Sequence, residues 1–250
     1  MLSKDLLDIE IDFAKRAFEL EPLPLEVALL KYTSLYGALF VPAPNYPEKD
    51  PKQEIWVNYL KSIRGKDVKE ASYQFYIDRT KERNRYTEIH EYSGKSCFIY
   101  NIDDDKVYLH FNNNEGAEPG PLSKASIPSR LLELKNIFQD LYDNHPEATT
   151  VNGYSWLYNI AAYTRLFPPQ FIENKTEVRD DFGFNIYGQF LNSSEEVKQD
   201  LSSEFLQNIQ NAKTYEELIN AFPFYPIRVS APVGVFYYFY QVDRNKASRN

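Results

Sequence analysis

The sequence predicts an α+β fold, and three observations carry this prediction. Apolar residues recur at steps of three and four through the first third of the chain, and from about residue 88 they alternate with polar ones. Tyrosine and phenylalanine are abundant, at 20 and 17 of 250 residues, which is typical of a chain that buries an aromatic core. We therefore expect a helical domain at 1–87, packed on the mixed sheet of an α+β domain at 88–250.

Four helices are predicted in the first domain, and a capping or first-turn residue marks the beginning of the first, second and fourth, while Gly65 closes the third. The residues that begin them are, in order, Ser3, Pro24, Ile55 and Asp67. The second helix is expected to run over 25–40 and is apolar on most sides, which predicts burial between neighbours. A proline-rich connector at 41–47 separates it from the third.

A β-hairpin opens the second domain. Segments 97–102 and 106–111 have strand-like apolar content and are joined by three aspartates, which predicts two strands and a tight polar turn. A loop at 112–123 follows and is rich in Asn, Gly and Pro. The apolar residues of 127–141 then recur at helical steps, so a long helix is expected there.

The remaining elements are predicted from the same periodicities. They are a strand at 149–151, a helix at 156–166, a half-buried strand at 182–190, helices beginning near Ser193 or Ser194 and at Thr214, and strands at 225–229 and 233–240.

The chain is acidic, with 36 acidic against 28 basic residues, a net charge of −8 and a pI near 5.1. Clustered Lys and Arg usually drive phosphate binding, so neither nucleic acid nor a membrane is expected as a partner. The charge is uneven: 61–85 holds 8 basic and 4 acidic residues, whereas 173–217 holds 10 acidic and 4 basic ones. A small-molecule amine or a basic protein is the partner that this layout favours.

The chain has too few cysteines and histidines for an internal disulfide or a metal site built from these residues. Cys97 is the single cysteine, so no internal disulfide is expected and a reducing cytoplasm is the predicted location. The three histidines have no metal-ligand spacing, and no metal is expected. The sequence also lacks the usual motifs of nucleotide hydrolases, dehydrogenases, serine hydrolases and zinc proteases, as well as a signal-peptide core or membrane span.

Two segments hold the candidate site residues. His110 lies near the end of a predicted strand, where it is either a proton acceptor or a hydrogen-bonded structural residue on the solvent face. Segment 151–159, with Tyr163 after it, is unusually aromatic. It forms either the floor of a ligand pocket with a tyrosine as proton donor, or a strand-to-helix corner anchored by a buried tryptophan, Trp156. The pair Asn152-Gly153 is expected to permit a sharp turn there.

Short motifs over 106–191 resemble the C-terminal domain of a bacterial family of GNAT-like acyltransferases. In order, they are His110-Phe-Asn, Gly120-Pro-Leu-Ser123, a helix ending at Pro146, Ser155-Trp-Leu157 and Phe167-Pro-Pro169. The family also carries an N-terminal helical domain. The resemblance implies a GNAT-like mixed β-sheet with flanking helices, in which the strands at 106–111 and 149–151 part from each other.

The resemblance also implies an activity, the transfer of an acyl group from acyl-CoA, as substrate, to an amine. It makes His110 the base and Tyr158 the acid, with Tyr163 as the next candidate. The residues expected to bind acyl-CoA are Asn112, Gly120, Leu122 and Ser123, and those expected to line the substrate pocket are Ser155, Trp156 and Asn159.

One departure from the family pattern concerns the pyrophosphate loop. The usual glycine-rich signature is missing, and Glu118 places a negative charge where phosphate would approach. A scaffold can persist without its chemistry. The alternative is therefore a non-catalytic protein-binding module that neutralises a basic partner through its acidic segment 173–217 and its tyrosines. Whether the chain is an enzyme stays open at this point.

Overall fold

The computed structural model describes residues 2–40, 50–84, 96–112, 120–180 and 182–242. The chain forms two compact units, and each is continuous in space although not in sequence. The first comprises Met1–Tyr92, Asp180–Asn192 and Glu196–Pro223, and the second comprises Ser93–Arg179, Ser193–Glu195 and Phe224–Asn250. The expected division after residue 87 falls in a range that is not described. Beyond it, the units differ from the prediction because the helices of 184–219 join the N-terminal ones.

Helices dominate the described part of the first unit, and the second unit holds a sheet. The helices are α1 (Lys4–Leu20), α2 (Leu25–Tyr32), α3 (Leu35–Phe40), α4 (Glu54–Ile63), α5 (Val68–Asn84), α6 (Ile127–Asn144), α7 (Ala161–Thr164), α8 (Pro169–Glu173), α9 (Phe184–Tyr187), α10 (Gln199–Asn211), α11 (Tyr215–Ile219) and α12 (Val233–Phe239). The strands are β1 (Phe98–Asp103), β2 (Lys106–Phe111), β3 (Thr150–Ser155), β4 (Thr176–Glu177) and β5 (Ile227–Pro232). The predicted α+β class is confirmed.

Three predicted helix caps are confirmed. The Ser3 hydroxyl accepts a hydrogen bond from the Leu6 N–H at 3.2 Å, and the Thr214 hydroxyl accepts one from the Glu217 N–H at 3.1 Å. Asp67 accepts from the Glu70 N–H at 2.9 Å. Each cap satisfies a backbone donor that the helix itself leaves unpaired.

The prediction of one helix over 25–40 is wrong, because the chain breaks between α2 and α3. Thr33 has extended backbone angles there. Glu10, which is fully buried, accepts hydrogen bonds from the Ser34 N–H at 2.6 Å and from the Ser34 hydroxyl at 2.8 Å. A carboxylate supplied by α1 thus stabilises the beginning of α3, which no local sequence signal reveals.

The core of the first unit is aromatic and explains a second error. Phe13 stacks on Phe182 at 5.5 Å and lies 4.9 Å from Phe222, between ring centroids. Segment 182–190, predicted as a strand, instead contains α9 and a 3-10 turn at Gly188–Phe190. Its aromatic residues pack into this core and do not form a strand of a sheet. The helix expected near Ser193 or Ser194 begins at Gln199.

The sheet of the second unit has the strand order β1-β2-β3-β5-β4. Strands β2 and β3 are parallel, and the other neighbours are antiparallel. The predicted hairpin is confirmed as β1 and β2, and the predicted long helix as α6, which connects β2 to the parallel β3. A parallel pair requires such a crossover.

One face of the sheet carries the apolar core of the second unit, under α6 and α12. Segment 233–240, predicted as a strand, forms α12 after Pro232. Phe236 and Tyr240, one helical turn apart, both stack on Phe138 of α6 at 4.6 and 5.1 Å between centroids. Packing on Phe138 therefore requires the helical spacing of four residues between Phe236 and Tyr240. The sequence pattern of 233–240 had suggested a strand instead.

The segment after β3 also differs from its prediction. The expected helix at 156–166 is a 3-10 turn at Trp156–Asn159, then extended Ile160, then α7. Asn152 and Gly153 do not form a turn, because both lie within β3. The predicted connector at 41–47 and Glu118 lie outside the described residues.

Candidate functional site

The parallel strands β2 and β3 part before they end. Their register runs from Lys106 opposite Thr150 to Leu109 opposite Gly153 and stops there. The outer ladders continue, since β1 pairs with β2 up to Phe111 and β3 pairs with β5 up to Ser155. An opening remains between 110–111 and 154–155, which we call the strand gap. The residues expected to part, 149–151, do not do so, because Thr150 and Val151 are paired with β2.

Tyr158 closes the core side of the strand gap. Its ring packs against Gly153, where a Cβ atom would stand 2.6 Å from the Tyr158 Cζ atom. Only 2 % of Tyr158 is exposed, and its hydroxyl has no hydrogen-bond partner among the described residues. Burial raises the pKa of this hydroxyl well above its ordinary value, so it stays protonated.

Tyr163, the second predicted proton donor, lies beside Tyr158 in the same core. The two rings are 5.1 Å apart between centroids, and Tyr163 also contacts Phe111 edge to face at 5.5 Å. Tyr163 is 1 % exposed, and burial raises its pKa. The structure therefore brings the two predicted tyrosines together, both under the sheet.

His110 lies on the other face of the sheet. Successive residues of a strand point to opposite faces, and its neighbour Leu109 is buried in the core. The His110 Nε2 atom lies 2.5 Å from Asn101 Oδ1. Because that oxygen can only accept, Nε2–H is the donor and Nδ1 is left as an acceptor. Although His110 is exposed, the surrounding protein partly desolvates its imidazole, which lowers the pKa and favours the uncharged form.

The residues predicted to bind acyl-CoA lie on either side of an undescribed segment, 113–119. The Asn112 N–H donates to the Cys97 carbonyl at 2.8 Å and so extends the hairpin. Before α6, the Gly120 carbonyl accepts from the Ser123 N–H at 2.9 Å, and the Leu122 carbonyl accepts from Arg165 at 2.8 Å. These groups shape the entry into α6.

The predicted pocket residues build the corner after β3. The Ser155 hydroxyl accepts from the Leu157 N–H at 3.2 Å and caps the 3-10 turn. The Asn159 amide donates to the carbonyls of Trp156 and Tyr225 at 2.9 and 2.7 Å. Trp156 stacks on Phe224 at 6.3 Å between centroids. Their hydrogen bonds and stacking fit the structural alternative for this segment.

Sequence reasoning missed a set of polar residues on the face that carries His110. We call this set the polar sheet face; it consists of Asn101, Tyr108, His110, Asn152, Tyr154, Arg228 and Ser230. Apolar and polar residues alternate in 227–231, and every second residue of β5 is buried. This alternation was the sequence signal that could have assigned Arg228 and Ser230 to the polar sheet face.

Two residues of the polar sheet face, Arg228 and Asn152, have side-chain groups that could bind a ligand. Arg228 is exposed and lies with its guanidinium 5.7 Å from the centre of the Tyr154 ring. It has no ion pair within the part of the chain that the structure describes. The Nδ2 atom of Asn152 is buried and lacks a hydrogen-bond partner among the same residues.

No protein-family model, curated protein or solved structure matches this chain. Within the described ranges, no group of three or more His, Cys, Asp or Glu side chains is arranged to hold a metal ion. Across those ranges, too, every helix is too short or too polar to span a membrane.

Proposed function

We propose that the second unit binds an acyl thioester in the strand gap and transfers its acyl group to an amine. The observation that carries this proposal is the end of the β2–β3 register at Leu109 and Gly153, while both outer ladders continue. Such an opening offers backbone hydrogen-bonding groups to a ligand within an otherwise complete sheet.

The backbone of Phe111 supplies these groups. In an antiparallel pair, both polar groups of one residue face the same neighbour, and the next residue faces the other way. Because the Asn112 N–H bonds to the carbonyl of Cys97, just before β1, the N–H and carbonyl of Phe111 face β3 and the gap. A thioester carbonyl in the gap can accept a hydrogen bond from that N–H, which stabilises the charge that develops on its oxygen.

His110 and Tyr158 lie on opposite faces of the sheet at this opening, and each has a separate part. A neutral amine attacks the carbonyl carbon from the polar face, and its nitrogen loses one proton to Nδ1 of His110. The carbon–nitrogen bond forms and the carbon–sulfur bond breaks. The Tyr158 hydroxyl donates a hydrogen bond to the departing sulfur, which takes up a proton from solvent, while His110 releases its own.

Ligand binding and turnover test this proposal separately. Acetyl-CoA at about 100 times its Kd should raise the Tm by about 5 °C, because it binds only the native state. Release of free thiol in the presence of an amine should fall about 100-fold in His110→Ala. Tyr238→Ala, at a residue 89 % exposed and outside the gap, is the control. A Tm that does not respond to millimolar acetyl-CoA would refute the proposal.

A second candidate, the binding of a basic protein, is favoured by the surface of the first unit. Asp200 and Glu204 lie one turn apart on α10, and Glu216 lies at the start of α11; all three are exposed. A positively charged partner would bind this surface with an affinity that falls steeply with salt. The test is binding of poly-lysine to wild type and to Asp200→Asn/Glu204→Gln, with Glu26→Gln as the control. Equal binding by all three proteins would contradict it.

A further inference from the structure

Arg228 is a cation placed without a counter-charge on the polar sheet face. Its neighbours across the strands are Tyr154 on β3 and Thr176 on β4, both uncharged. The Tyr154 ring supports the guanidinium at 5.7 Å and does not neutralise it. On this face the strand carboxylate is Asp103, at the far end of β1, and it is paired in register with Lys106. In a chain with a net charge of −8, the local excess of positive charge at Arg228 attracts an anion.

Asn152 adds a neutral donor beside this cation. It lies opposite Ser230 on β5 and is therefore the diagonal neighbour of Arg228, about 7–8 Å away. Its buried Nδ2 atom has no hydrogen-bond partner in the described ranges. A buried amide donor is normally satisfied, so an acceptor supplied by a ligand fits this atom.

His110 completes the set across the strand gap, and its lowered pKa favours the uncharged form. The groups at this end of the face are thus one cation, one unsatisfied amide donor and aromatic rings. A single planar guanidinium matches the geometry and charge of a carboxylate, whereas a phosphate dianion is usually held by several cations. Strands β5 and β2 are about 10 Å apart, a span that the Arg228 side chain and a small amino acid together cover.

We propose that Arg228 and Asn152 bind the carboxylate of a small amine, so that an amino acid lies on the polar sheet face with its amino group toward His110. That this amino acid is the acyl acceptor rests on the proposed acyl transfer. The carboxylate site itself follows from Arg228 and Asn152 and does not depend on acyl-CoA.

The matched probes are L-phenylalanine and L-phenylalaninamide, which share the amino group and side chain and differ in the carboxylate. Saturation-transfer NMR titration of the full chain gives both affinities. We expect the acid to bind about tenfold tighter than the amide to wild type, and about equally in Arg228→Gln, because the charge-assisted bond is lost. Lys106→Gln removes a positive charge from the far end of the same sheet face, on β2, and should keep the preference.

Three results would overturn this inference: equal affinities of acid and amide for wild type, an unchanged preference in Arg228→Gln, or equal losses in Arg228→Gln and Lys106→Gln. The wild-type comparison decides the matter even where a variant does not fold. Thiol release from acetyl-CoA, measured with the same two amines, separates the two proposals. If the acid binds more tightly but no thiol is released, the carboxylate site stands and acyl transfer is refuted. If thiol is released at equal rates with both amines and their affinities are equal, acyl transfer stands and the carboxylate site is refuted.

Discussion

The ring of Tyr158 occupies the space where a side chain at residue 153 would begin. A Cβ atom on Gly153 would stand 2.6 Å from the Tyr158 Cζ atom and 2.9 Å from the Val229 Cγ2 atom. Real Cβ atoms do not approach other atoms this closely, and so β3 needs glycine at this position to accept the tyrosine. The contact lies where β2 and β3 part, and it fixes the buried hydroxyl at the floor of the strand gap.

Gly153→Ala should therefore destabilise the protein by about 2–3 kcal/mol, because the core has no space for a methyl group. Gly234→Ala is the matched control, since nothing lies within 4 Å of its Cβ position on α12. There, alanine should stabilise the helix by about 0.5–1 kcal/mol. Urea unfolding measures both changes, and equal midpoints for Gly153→Ala and wild type would contradict the packing described.

Two buried tyrosine hydroxyls should respond in opposite ways to removal. Tyr158→Phe removes a desolvated hydroxyl that lies beside Tyr163 and makes no well-formed hydrogen bond among the described residues, so it should stabilise the folded protein by about 1 kcal/mol. Tyr240→Phe removes the 2.6 Å hydrogen bond to the Leu166 carbonyl and should cost about 1 kcal/mol. Urea unfolding again gives the free energies. A loss of stability in Tyr158→Phe would mean that its hydroxyl is satisfied in solution.

The stability of the protein should depend on pH through His110. Partial desolvation lowers the pKa of the exposed His110 imidazole in the folded state below the ordinary 6.5, so the unfolded chain takes up this proton first. His110 thus contributes stability above pH 6.5, which is lost as the pH falls through the lowered value. His110→Gln should lose less stability between pH 7.5 and pH 5 than wild type, as measured by urea unfolding at each pH. Parallel losses in the two proteins would contradict the lowered pKa.

Glu133 should be a main stabilising contact between α6 and the edge strand β1. Its carboxylate accepts from the N–H groups of Cys97 and Phe98 at 3.0 and 3.2 Å, and pairs with the buried Arg130 at 2.8 Å. Removal leaves a buried cation short of a partner, so Glu133→Ala should cost about 3 kcal/mol. Asp143→Ala, at an exposed carboxylate of the same helix, should change stability by less than about 0.5 kcal/mol. Similar costs for both variants, by thermal unfolding, would refute this role.

The sequence predicted correctly those elements whose stabilising contacts lie between residues close together in the chain. The caps at Ser3, Asp67 and Thr214, the hairpin around three aspartates and the periodic helix α6 all formed as expected. A capping side chain lies within three residues of the N–H that it satisfies, so the sequence alone contains the whole interaction. Among the candidate residues, the sequence correctly placed His110 on the second strand of the hairpin, but it missed the polar residues that share its face of the sheet.

The sequence by itself therefore determined the α+β class, the hairpin and the capped helices. The tertiary structure alone decided the break at Thr33, the helical form of 182–190 and α12, and the face on which each site residue lies. Those outcomes depend on partners far along the chain: Glu10 for α3, Phe13 for α9, and Phe138 for α12. Long-range packing overrides weak local preference because the burial of large aromatic rings contributes more free energy than the backbone propensity of a short segment. The pairing of β3 with β5, two segments far apart in the sequence, likewise brings Arg228 and Asn152 onto one face of the sheet.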